Sequence, residues 1–172
     1  FNFVYPLPYY LGLVMYFFGL GFVGSIKFLF FLSVPLSAFF MFLASKKAWK
    51  NTQAGLISAA LYAYFPYRIV DLYVRGSLGE SLAFVLFPLP IFLFLNISGE
   101  KKDYFFIPLA SLCLGLLIMT HNIMSVFFGI ILLVFIVYSL INNRNLIGKY
   151  LVLILIGLGI SSFFSLPALL EK

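Results

Sequence analysis

Long apolar runs alternate with short polar connections along this chain, and the alternation dictates its elements. A helix rises about 1.5 Å per residue, so runs near twenty residues match a hydrocarbon core of about 30 Å. Five apolar runs lie at 25–45, 52–65, 81–97, 104–120 and 123–141, the second shorter than the rest, and a sixth at 148–166. Backbone polarity in lipid allows only helices or closed barrels, and runs this continuous lack the in–out alternation of barrel strands. The expected fold is all-α: a polytopic transmembrane bundle of six spanning helices forming one integral-membrane domain over 1–172. Pro35 should kink the first span. Ahead of it, residues 6–22 are aromatic, begin with Pro6 and Pro8, and carry several glycines. They predict a further helix, either interfacial or re-entrant or crossing; Pro is tolerated at its head, and Tyr favours the membrane interface.

Composition removes the soluble classes. Hydrophobic residues make up 64% of the chain and charged residues 9%, against about 25% charged in soluble domains. The net charge of +6 does not form a stripe suited to nucleic acid, because the basic residues fall between the apolar runs. Seven of the eleven, Lys46, Lys47, Lys50, Lys101, Lys102, Arg144 and Lys149, occupy alternate connections. Short basic loops stay cytoplasmic. The segment 66–80, the pair His121–Asn122 and the stretch 167–171 therefore fall together on the outer side. Cys113 is the only cysteine, which excludes an internal disulfide and a cysteine zinc site. The chain starts at Phe1 without Met and ends as a polar segment opens, so it reads as a piece of a longer protein.

The candidate chemistry sits in the segment 66–80, where charges of both signs alternate with Tyr and Gly. Arg68, Asp71 and Arg75 fall at i, i+3 and i+7, one face of a helix. An ion pair at the membrane edge would account for Asp71, yet one carboxylate cannot satisfy two guanidinium forks. Two arginines facing a dry cavity suit a phosphate, gripped by parallel hydrogen bonds. Glu80 closes the pattern S-x-x-E from Ser77, a capping box; a cap also fixes a carboxylate in place. His121 and Asn122 form a tight polar turn. A lone His makes no metal site by itself, but Asp71 and Glu80 leave a divalent cation open.

PYRIVDLYVRGSLGE (66–80) resembles the P-Y-R-x-x-D-L-Y-x-R-G-x-x-G-E hallmark of a prokaryotic family known as "6-pyruvoyl-tetrahydropterin synthase-related domain; membrane protein". FVYPLPYYLG near the start, the His121–Asn122 pair and the closing SFFSLPALLE resemble its other signatures. Pterin synthase itself is a soluble zinc enzyme with several His ligands, whereas this chain has one His. The layout is also similar to the amino-terminal module of GT-C-type membrane glycosyltransferases, which use polyprenyl-phosphate-linked sugars at the outer face. That resemblance implies catalytic roles for Glu80 and Asp71, with Arg68, Arg75, His121 and Asn122 binding substrate. It also implies an interfacial placement for residues 6–22 and a location in the prokaryotic plasma membrane. A non-enzymatic reading, a lipid-linked-saccharide transporter or assembly partner, uses the same charges to bind or gate.

Overall fold

The computed structural model describes residues 4–98 and 102–170. Gly99–Lys101 lie outside them, and with them the expected cytoplasmic placement of Lys101; so does the end of the SFFSLPALLE segment. Among the described residues the chain is helical, without strands.

Helix α1 (Pro6–Met15) starts with proline in its first turn. A wide turn at Tyr16–Leu20 ends it, where Gly19 takes φ 89° and Gly21 φ 64°. The structure thus separates α1 from α2 (Gly21–Trp49), although both belong to one continuous apolar stretch, Pro6–Trp49. The face that α2 buries is made of small residues, Ser25, Ser33, Ser37 and Ala44, with Leu29 among them. Small side chains let neighbouring backbones come close. Their hydroxyls donate back to α2 carbonyls, Ser25 to Gly21 at 2.7 Å and Ser33 to Phe30 at 2.7 Å, so the polar stripe needs no outside partner.

The chain reverses at Lys50, in the left-handed region at φ 50°. Asn51 caps α3 (Thr52–Ala63) by accepting from the Gln53 and Ala54 N–H groups. At 12 residues, α3 covers about 18 Å, short of a hydrocarbon core. The expected run 52–65 thus forms one helix, but one too short to cross alone; Pro66, with no N–H to donate, breaks the strip there and opens a new helix, α4 (Pro66–Val70). The direction is nevertheless kept. A Cβ on Gly55 would touch Lys46, and Arg68 touches Ser33; thirteen residues forward from Gly55 match thirteen back from Lys46. The α3–α4 strip thus runs antiparallel to α2 past the break.

The 81–97 run is also divided. Helix α5 (Leu78–Leu86) meets α6 (Pro88–Phe94) at Phe87, because Pro88 and Pro90 remove backbone donors that a continuous helix requires. Helices α7 (Asp103–Thr120), α8 (Asn122–Asn142) and α9 (Ile147–Leu170) follow, with a single 3-10 turn, Arg144–Leu146, before α9. Four helical stretches among the described residues are long and apolar enough to cross a membrane: Pro6–Trp49, Asp103–Thr120, Asn122–Ile141 and Arg144–Ala168. Leu78–Phe94 is a shorter apolar one.

Helices α7 and α9 touch through glycine. A Cβ on Gly115 would stand 2.8 Å from Ile160, and one on Gly157 2.9 Å from Leu114, so each glycine makes room for the other helix. The larger core, including Leu93, Phe94, Cys113, Tyr150 and Leu153, packs toward the α6–α7 turn. There Lys149 donates to Asp103 at 2.6 Å, and the Ser98 N–H donates to the same carboxylate at 3.1 Å. His121 follows the other end of α7, 18 residues or about 27 Å away. One helix thus holds two polar clusters about a bilayer core apart.

Candidate functional site

At the His121 end the chain builds a charged cluster from four separate places. The first is a wide helical turn, Asp71–Arg75, closed when the Gly76 N–H donates to the Asp71 carbonyl at 2.8 Å. Such an i to i+5 bond adds a residue to the turn, and Gly76 ends it at φ 61°, where a Cβ would be strained. The second is the start of α5. Ser77 accepts from the Glu80 N–H at 3.5 Å, one half of the expected capping box; the carboxylate goes to Arg75 instead, and Glu80 sits in the first turn of α5. Tyr67 on α4 is the third, and the α7–α8 turn at His121 the fourth.

These parts converge on Glu80, which is 3% exposed. Arg75 forks onto it: Nη1 donates to Oε2 at 2.8 Å and Nη2 to Oε1 at 2.6 Å. The Tyr67 hydroxyl donates to Oε2 at 2.5 Å and itself accepts from Arg75 Nη1 at 2.6 Å. His121 brings Nε2 to 3.6 Å from Oε1, too far for a hydrogen bond. Its other nitrogen, Nδ1, accepts from the Met124 N–H at 3.4 Å and caps α8. An accepting Nδ1 puts the imidazole proton on Nε2, facing the carboxylate. Burial holds the His121 pKa below its ordinary value, with Glu80 acting against that and Arg75 with it. Gly79 makes the approach feasible: a Cβ there would meet the Thr120 carbonyl at 2.8 Å. Tyr5 lies against the His121 ring at 4.6 Å between centroids.

The six residues picked out in the sequence divide into groups. Arg75, Glu80 and His121 come together, and Asn122 adjoins them as the first residue of α8. Arg68 and Asp71 go elsewhere. Arg68 is fully buried and donates Nη2 to the Ser33 carbonyl at 2.8 Å and to its hydroxyl at 3.3 Å, with its guanidinium over the Phe84 ring. Asp71, also fully buried, accepts from the Ser81 hydroxyl at 2.9 Å. Among the described residues Arg68 Nε and Nη1 and Asp71 Oδ1 have no hydrogen-bond partner. The shared face expected for Arg68, Asp71 and Arg75 does not form, because the extra residue in the wide turn rotates Arg75 off the Arg68 stripe. The two guanidinium groups thus have different protein partners, Ser33 for Arg68 and Glu80 for Arg75.

Two participants were missed in the sequence. Tyr67 was hidden by its neighbour: in P-Y-R the arginine drew the reading, although a phenol beside a buried carboxylate is an ordinary partner for it. Tyr5 carried no distinguishing signal among the aromatic residues of the amino-terminal stretch.

A divalent cation does not fit these groups. Both Glu80 oxygens are held by the Arg75 guanidinium, so a cation there would face a fixed positive charge. Among the described residues no three His, Cys, Asp or Glu side chains gather to ligate one.

A family model described as "6-pyruvoyl-tetrahydropterin synthase related domain; membrane protein" matches residues 1–172. The chain belongs to this family. It is thus a membrane protein of the pterin-synthase-related family, in agreement with its long apolar helices. No curated protein and no solved structure matches this family member.

Proposed function

We propose that this chain is part of a GT-C-like membrane glycosyltransferase that takes sugar from a polyprenyl-phosphate carrier at the outer membrane face. One observation carries the reading: a buried carboxylate, a half-exposed guanidinium and a neutral imidazole meet at one end of an apolar bundle. Arg75 is 46% exposed, and its remaining N–H groups stabilise the charge that develops on a departing phosphate. Glu80 holds Arg75 in position and keeps the imidazole proton of His121 directed inward. With both oxygens accepting from Arg75, Glu80 acts by orientation and charge rather than as a free general base. Asn122 hydrogen-bonds the substrate at the rim. Arg68 and Asp71 support the site from inside the bundle.

The topology belongs to the same proposal. Six crossings arise if the broken strip Thr52–Arg75 and the pair α5–α6 each traverse the bilayer beside α2. The clustering of Lys and Arg at the opposite end then sets the Glu80 end outside, in a prokaryotic plasma membrane.

A second reading has its own support. The Tyr67–Arg75–Glu80 contacts already satisfy one another, as suits a gate or a binding surface in a transporter or assembly partner. Incubating the full-length protein with labelled polyprenyl-phosphate sugars separates the two. Transfer of label to an acceptor supports the enzyme; saturable binding of the carrier without turnover supports the second reading and removes the first.

A further inference from the structure

A cleft of about 600 Å³ opens between α7, α8 and α9. It cuts into the core, since Phe94, Leu117 and Leu132 in its wall are at most 3% exposed. Along α8 it runs from Asn122 to Ile136, and along α9 from Ile154 to Ala168. Each is a run of fifteen residues, fourteen helical rises or about 21 Å. Its polar side chains, Asn122, Ser125 and Ser165, all lie toward one end. That end adjoins His121 and the Glu80 cluster. The Ser125 hydroxyl is already used, donating to the Leu117 and His121 carbonyls. The Asn122 amide has no hydrogen-bond partner among the described residues.

We infer that this cleft holds the hydrocarbon tail of a single-chain amphiphile, with its hydrogen-bonding headgroup at Asn122. About 600 Å³ over a length of about 21 Å makes the cleft a long slot rather than a compact cavity. The polarity runs in one direction only, apolar for most of the depth and polar at the mouth, which matches an amphiphile and not a polar metabolite. A free amide at that mouth supplies two donors and an acceptor to the headgroup. The inference rests on the reading of the Glu80 end as a lipid-substrate site, and it assigns where the tail of such a substrate goes.

Gly129 provides the test, because it lines the cleft and a Cβ there meets nothing within 4 Å. Gly129→Leu therefore starts from open space at its Cβ and extends a side chain into the cleft. Gly159 on α9 also has open space around it but does not line the cleft, so Gly159→Leu is the matched control. Full-length protein in detergent micelles is irradiated with palmityl phosphate carrying a diazirine at the tail end, and labelled residues are mapped by mass spectrometry. The expected label concentrates on α8 near Ile136 and α9 near Ile154, is displaced by excess unlabelled palmityl phosphate, and is lost in Gly129→Leu but kept in Gly159→Leu. Equal labelling of both variants, or label spread evenly over outward helix faces, or label that excess ligand fails to displace, overturns the inference. So does an unlabelled cleft in the full-length protein. Should labelling hold while no sugar is transferred, the enzyme reading fails alone; should transfer hold while the cleft stays unlabelled, the tail site fails alone.

Discussion

Replacing Gly79 by alanine adds one methyl group at the place where α5 and α7 come together. The new Cβ stands 2.8 Å from the Thr120 carbonyl oxygen, whereas ordinary contact begins at 3.4 Å. The helices must part by the difference, about 0.6 Å, since the obstructing atom is backbone. Glu80 is the next residue, and its 3.6 Å approach to His121 would widen to about 4.2 Å if the opening passes to it in full. Overpacking of this kind costs about 1–3 kcal/mol. Alanine returns at most about 1 kcal/mol of helix propensity, and less in a first turn. The net loss is about 1–2 kcal/mol. Gly129→Ala is the control: its Cβ meets nothing within 4 Å, so only the propensity gain remains, up to about 1 kcal/mol. The same chemical change should thus move stability in opposite directions. A difference of about 1–3 kcal/mol corresponds to about 2–12 °C in Tm for a domain of this size. Melting followed by circular dichroism in one detergent measures it. A Gly79→Ala protein that melts at or above Gly129→Ala would refute the close α5–α7 approach and the placement of Glu80 that depends on it.

Three further outcomes follow from the packing and the charges. Gly157→Leu should separate α7 from α9, because even a Cβ there would stand 2.9 Å from Leu114 and 3.1 Å from the Ser111 carbonyl; a Tm equal to wild type would contradict this. Lys149→Met removes the Lys149 ammonium from the Asp103 carboxylate and should cost about 1–3 kcal/mol, less than a fully buried pair because Lys149 is partly solvated. Unchanged melting at pH 7 would show that the pair contributes nothing. Burial lowers the His121 pKa in the folded state, so below about pH 6.5 the unfolded chain takes up its proton first. Stability should fall from there as pH drops toward the folded value and then level off, and His121→Asn should lack that slope; identical pH profiles for the two proteins would count against a buried neutral imidazole.

Much of this was legible in the sequence because bilayer physics reads long runs. The spans over α7, α8 and α9 appear where the apolar runs lie, since a helix of that length needs no local detail to be recognised. The Ser77–Glu80 cap was readable too, being a fixed spacing with a fixed geometry. What could not be read were the breaks. Pro66 and Pro88 mark where a helix must be interrupted, but not whether the chain then turns away or carries on in the same direction, and packing against α2 decides that. The wide turn at Asp71–Arg75 depends on a single extra residue with no compositional mark. Arg75, at the end of this turn, goes to Glu80 while Arg68, ahead of it on α4, faces Ser33, so a face drawn with helical spacing failed where the helix locally ceased to be α.

The central claim, that the Arg75–Glu80–His121 cluster serves chemistry rather than packing, is tested most directly by Glu80→Gln in the full-length protein. The Ser77 cap uses the Glu80 backbone N–H and survives the change, and the Gln carbonyl oxygen can still accept from Arg75, but the charge is lost. The measurement is sugar transfer from a polyprenyl-phosphate donor beside the melting temperature of the same preparation. The account predicts transfer reduced to background in a protein that inserts and stays folded. Wild-type transfer by Glu80→Gln would contradict it and leave the cluster a structural lock between α4, α5 and α7.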